Sequence, residues 1–136
     1  MNHLSFMLRN QVQLFKEEDV KLLSYDKCLS FESHFIILIN NKVFFDDPYF
    51  CILEFWKDLS LWNKKSTFTY NAVETDENPL IQFILNSEGW LISSPWGLFN
   101  ALGLPITTKE LDSAIAGLKN QLFQESGLFS QPFLRR

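Results

Sequence analysis

Asp46-Asp47-Pro48-Tyr49-Phe50-Cys51-Ile52-Leu53-Glu54-Phe55-Trp56-Lys57-Asp58-Leu59-Ser60-Leu61-Trp62 is the stretch that decides the fold. Pro48 stands where a first helical residue would stand, and Asp47 before it is a favoured N-cap. Tyr49, Ile52, Leu53, Trp56 and Leu59 then recur at three- and four-residue steps, so the spacing predicts a helix over 48–62 with one buried face. Phe55 and Trp62 flank that face. A stripe this rich in bulky aromatics calls for a sheet to lie against.

Working outward on the N-terminal side, residues 3–15 alternate loosely through Leu4, Phe6, Leu8, Val12 and Leu14, as a strand does. Lys16-Glu17-Glu18-Asp19 reads as a solvated polar turn, with a short helical turn through Val20, Leu22 and Leu23 as the other reading. From Cys28 to Phe45 the pattern is β. Leu29 to Ser33 alternates, and His34-Phe35-Ile36-Ile37-Leu38-Ile39 is β-branched and nearly continuously apolar. Asn40-Asn41 supplies two residues that tolerate positive φ, a hairpin signal before Lys42-Val43-Phe44-Phe45 returns.

On the C-terminal side, Asn63-Lys64-Lys65 is a basic helix exit. Thr67 to Val73 alternates, Glu74-Thr75-Asp76-Glu77-Asn78-Pro79 is an acidic turn, and Leu80 to Leu85 with Gly89 to Ser94 forms a hairpin across Asn86-Ser87-Glu88. Short turns between successive strands predict an antiparallel meander. Thr107 and Glu110 form a Thr-x-x-Glu capping box, with Ile106 placed to staple onto Leu111. Leu111, Ala114, Ile115, Leu118 and Leu122 give the helix of 107–126 its buried stripe, with Gly127 as its stop. Residues 128–136 read as a loosely held tail. The expected fold is α+β: residues 1–136 form a single domain with one antiparallel sheet of about five or six strands packed against two main helices.

Composition sets limits on function. At 136 residues the chain has room for a core without disulfides or metal, and 46% hydrophobic with 21% charged residues is ordinary for a globular protein. The 14 Phe and 4 Trp are less ordinary: they stock a Phe-rich core, or leave some aromatics outside as binding anchors. No apolar run approaches the length of a membrane span, and the N-terminus lacks the basic-then-apolar pattern of a secretory signal, so a cytoplasmic location is expected. Cys28 and Cys51 sit in apolar sequence and read as buried thiols.

Charge is unevenly placed. Between Ser66 and Thr108 the acids are Glu74, Asp76, Glu77 and Glu88, with no Lys or Arg, and these four account for the whole net charge of −4. A nucleic-acid binder shows the opposite bias, so direct DNA or RNA binding is disfavoured.

Catalytic and cofactor patterns are missing. His3, His34, Cys28 and Cys51 have no metal-ligand spacing, the five Gly are scattered, and no nucleophile elbow occurs. No cofactor or metal is expected. Asp46-Asp47 and Asp76-Glu77 are paired carboxylates, but adjacent acids in turns are ordinarily caps or solvated loops. His34 reads as structural. What remains is a binding protein. Glu74, Asp76, Glu77 and Glu88, with Trp90 and Trp96 close in sequence, form a candidate partner-binding set: acids steer a basic protein and aromatics supply affinity.

Phe68-Thr69-Tyr70-Asn71-Ala72-Val73-Glu74 followed by Gly89-Trp90-Leu91-Ile92-Ser93-Ser94-Pro95-Trp96 resembles a family of small uncharacterised bacterial proteins. Phe45-Asp46-Asp47-Pro48 and Leu53-Glu54-Phe55-Trp56-Lys57-Asp58-Leu59 resemble that family's core helix. In size, acidity and α+β layout the chain also resembles immunity proteins of contact-dependent growth inhibition and other polymorphic toxin systems. That resemblance implies a non-catalytic protein that binds a cognate toxin domain, a nuclease being the expected class because nucleases are basic. It transfers no functional residue. The alternatives are a small-ligand-binding or enzymatic domain, with a deep pocket near Trp90, Trp96 and Asp46, and a homodimer joined through Leu98 to Leu104.

Overall fold

The computed structural model describes residues 1–9 and 14–123. Strand β1 (Leu4–Arg9) is followed by two short helices, α1 (Glu17–Leu22) and α2 (Tyr25–Cys28), then by β2 (Glu32–Ile39), β3 (Lys42–Cys51) and helix α3 (Ile52–Leu61). Three shorter strands come next, β4 (Phe68–Tyr70), β5 (Ile81–Asn86) and β6 (Gly89–Ser93), and α4 (Thr108–Leu122) closes the described chain.

The strands form two antiparallel sheets, β1-β2-β3 and β4-β5-β6. One continuous sheet was expected. No ladder joins β4-β5-β6 to β1-β2-β3 among the described residues: the chain leaves β3 through α3 and the later strands pair only with one another. The class is α+β as read, with the strands divided.

The start of that helix also differs from expectation. Asp47 and Pro48 belong to β3, whose pairing with β2 slips between Ser33 and Phe35 to accommodate an extra residue. Asp47 Oδ1 does accept a backbone N–H, from Tyr49 at 2.9 Å, but two residues on, as in an Asx turn. Pro48 lacks an N–H and is tolerated because β3 is an edge strand. The helix begins only at Ile52, with Cys51 at its N-cap. Tyr49, expected on the buried face, is 69% exposed.

From Ile52 onward the expected face holds: Leu53, Trp56 and Leu59 are buried, and so are Ile52, Glu54 and Phe55. Phe55 is the hub of an aromatic web, with its ring centroid 5.3–6.5 Å from those of Phe6, Phe35, Phe50, Phe68 and Tyr70. Phe6 of β1 stacks on Phe83 of β5 at 5.9 Å, so the two sheets meet across this web. Every described phenylalanine is buried or partly buried. The aromatic surplus went inward.

Asn40 and Asn41 both take positive φ, 52° and 65°, and make the two-residue β2–β3 turn expected of them. In the second hairpin Asn86 Oδ1 accepts from the N–H groups of Glu88 and Gly89, and Gly89 sits at φ 135°, where a Cβ would lie 2.6 Å from the Ile106 carbonyl oxygen. The strand read over 67–73 shrinks to three residues, and Lys16–Asp19 leads into α1 rather than a simple turn. Cys28 ends α2 instead of opening a strand.

Thr107 caps α4, its Oγ1 accepting the Glu110 N–H at 3.1 Å. The Glu110 carboxylate serves β1, accepting from Leu4 N–H at 3.3 Å. Gln121, farther along α4, accepts from Leu8 N–H at 2.7 Å and donates to the Phe6 carbonyl at 2.9 Å. Side chains of α4 thus satisfy the free edge of β1, which blocks strand addition there. Val12, Gly127 and the tail at 128–136 lie outside the described residues.

Candidate functional site

Of the six residues singled out as partner-binding, the structure brings together four. Residues 71–80 connect β4 to β5 and are tied by Asn78, which bonds to both the N–H and carbonyl of Ala72 and to the Thr75 carbonyl. Glu74, Asp76 and Glu77 project from this braced loop and are exposed. Trp96, in the turn after β6, donates its indole N–H to Glu77 Oε1 at 2.9 Å while its ring stacks on Phe45. β5 and β6 run antiparallel, so the start of one and the end of the other meet here.

Glu88 and Trp90 do not join them. Glu88 lies on the opposite turn of the hairpin, about 17–20 Å away along a strand of this length. Trp90 is 2% exposed, packs edge-on against Trp62 and donates its indole N–H to Thr108 Oγ1. As a surface anchor Trp90 is ruled out: on β6 its side of the pleat faces the core, and alternation sets it there.

The structure adds acids that sequence spacing did not group. β3 ends beside the loop, and Cys51 donates its thiol hydrogen to Glu74 Oε1 at 3.1 Å. Glu32 pairs with Cys51 across the β2–β3 ladder. Ligand atoms of Glu32, Cys51 and Glu74 all lie within 4.8 Å of one another, so these three could hold a metal ion. The positions 32, 51 and 74 carry no spacing signal, because ladder register and a loop assemble them. Burial, then the hydrogen bond to Glu74 and the charges of Glu74, Glu54 and Glu32, push the Cys51 thiol far up, so it is a protonated donor here. Cys28 is also free and buried.

Charges of one sign accumulate at this end of the molecule. Burial raises the Asp47 carboxyl; the Tyr49 N–H opposes the rise, and Glu74 and Asp46 reinforce it. Glu54, 5% exposed, accepts from the Tyr70 hydroxyl at 2.7 Å. Burial pushes its carboxyl up, Tyr70 holds it down in part, and Asp58 and Glu74 push it further up. Among the described residues, none of Glu32, Asp47, Glu74, Asp76 and Glu77 makes an ion pair. Asp46 is 2.6 Å from His34 Nε2, a carboxylate partner that the sequence reading did not foresee for that histidine. The bulged β2–β3 register places the two side chains together.

The alternatives have their own geography. A groove of about 340 Å³ is lined by Phe44, Ser93, Ser94, Phe99 and Asn100, with none of the acids in its wall. Leu102 in its wall is 49% exposed, and Leu98, between the lining residues Gly97 and Phe99 in sequence, is 65% exposed. No described helix is long and apolar enough to cross a membrane.

No curated protein and no solved structure matches the chain. A family whose members carry a Domain of unknown function (DUF7878) matches residues 4–125. This agrees with the resemblance to small uncharacterised proteins and carries no link to immunity proteins. The chain belongs to the DUF7878 family.

Proposed function

We propose that this is a non-catalytic binding protein whose acidic end captures a basic protein, and that the captured protein is a cognate toxin domain, a nuclease by charge, neutralised in the cytoplasm of the producing cell. The observation that carries the reading is the set of exposed or half-exposed carboxylates, Glu32, Asp47, Glu74, Asp76 and Glu77, without an ion pair among the described residues. Like charges held together repel, and a cationic surface relieves that repulsion on docking. The loop bearing three of them is braced by Asn78, so little ordering entropy is lost on binding. Trp96, half-buried and bonded to Glu77, fixes the orientation of that carboxylate.

Inhibition of a nuclease needs no chemistry from this chain. A polyanionic surface occupies the cations that hold phosphates, and substrate is excluded. The test is co-expression with the product of the adjacent upstream gene, which on this proposal is expected to carry the toxic domain. Protection of the cells together with co-purification of the two proteins is expected. Protection without a complex, or a complex without protection, contradicts the proposal.

A further inference from the structure

Resting on that reading, we propose that the acidic face is anchored by Tyr49, and that its partner is a folded basic protein presenting an apolar pocket rimmed by Lys or Arg. Tyr49 is the most exposed described aromatic, at 69%. Tyr25, the other exposed tyrosine, has its hydroxyl committed to Asp58 at 2.9 Å. Tyr49 stands on β3 between Asp47, whose carboxylate holds its N–H, and Cys51, which holds Glu74. Two residues of strand span about 6.5 Å, so the ring and the carboxylates on either side fall within one partner footprint. Val73, beside Glu74, is equally exposed and extends the apolar area.

The strand also limits how a partner docks. β3 is an edge, but Pro48 offers no N–H, and the Phe44 carbonyl already accepts from Leu98 N–H at 2.8 Å. A partner strand could not continue the ladder through this segment, so contact runs through side chains. A tyrosine has only two side-chain torsions to fix, so it loses little entropy when buried, and such residues dominate interface energetics.

Charge selects the occupant. A second copy docked symmetrically on this face would set Glu32, Asp47, Glu74, Asp76 and Glu77 against themselves. Nucleic acid and anionic lipid are repelled for the same reason. A cationic protein surface is what complements it.

The experiment pans a phage library of random peptides and randomised folded scaffolds on the wild-type protein, then measures individual binders against three variants. Enriched binders carry Lys or Arg beside an apolar residue, and Tyr49→Ala weakens them about tenfold or more while Tyr49→Phe stays close to wild type. The combined Glu74→Lys, Asp76→Lys and Glu77→Lys variant loses them. If the charge-reversed protein loses the binders but Tyr49→Ala stays within about twofold of wild type, the anchor is wrong and the acidic-face reading stands. Binders that survive charge reversal, or no enrichment over the blank surface, overturn both.

Discussion

Tyr70→Phe removes the hydroxyl that donates to Glu54, and its consequence can be worked through. Tyr70 is fully buried, Glu54 is nearly so, and their contact is 2.7 Å. A hydrogen bond to a charged group contributes about 1.5–3 kcal/mol, and a buried acceptor stripped of its donor keeps its desolvation cost. Tyr70→Phe is therefore expected to cost about 1.5–3 kcal/mol of the roughly 5–15 kcal/mol that stabilises a domain. Glu54→Gln separates the charge from the hydrogen bond, since the amide oxygen still accepts from Tyr70. Burial places the folded carboxyl above its ordinary value of 4.5. An acid raised on folding contributes most stability below its unfolded pKa, and that contribution is lost as pH rises through the folded value. Glu54→Gln should thus gain on wild type as the buffer moves from acidic to neutral. Urea unfolding followed by tryptophan fluorescence, at both pH values and with the double variant to close the cycle, reads all of this. A Tyr70→Phe cost under about 0.5 kcal/mol, or a Glu54→Gln difference that does not move with pH, would refute the reasoning.

Other perturbations probe the rest of the frame. Trp56, 6% exposed and edge-on to Phe123, should cost about 3–5 kcal/mol as Trp56→Ala in the same urea assay. Gln121→Ala strips partners from Leu8 N–H and the Phe6 carbonyl, with an expected loss of about 1–3 kcal/mol and faster amide exchange at Leu8. Gly97→Ala would bring a Cβ to 2.7 Å from the Phe44 ring, so its melting temperature should fall while an alanine at open Gly103 leaves it unchanged. Cys28 and Cys51 are buried, and burial raises both thiols, so a thiol reagent should label them slowly in native protein and rapidly in urea.

The sequence was most readable where local chemistry and tertiary packing agree. Asn40-Asn41 needed only the steric tolerance of asparagine, and Thr107 only its own hydroxyl, so both turned up where expected. The Asp47-Pro48 signal failed because the same residue pair suits an edge-strand bulge, and periodicity over 49–59 could not distinguish a helix start at 48 from one at 52. Tyr49 shows the cost of that four-residue error, since a residue assigned to the core became the most exposed aromatic. In the candidate site, the Glu77–Trp96 contact was within reach of sequence because the two residues flank one hairpin. Glu32, Asp47 and Cys51 were not, because ladder register brings them to Glu74 and no spacing encodes it. Trp90 was separable from Trp96 only by the pleat of β6, which sends it inward.

The most direct test of the acidic face is calorimetric titration of the product of the adjacent upstream gene, where the proposed toxin domain is sought, into wild-type protein and into the combined Glu74→Lys, Asp76→Lys and Glu77→Lys variant, at low and high salt. The variant loses the acceptors of the Cys51 thiol and the Trp96 indole N–H, at a cost of about 1–3 kcal/mol, so its melt is recorded first to show that it is folded at the titration temperature. Tight binding to wild type that weakens with salt, and loss of binding to the variant, is the predicted result. Equal affinity for both proteins, unchanged by salt, would contradict it.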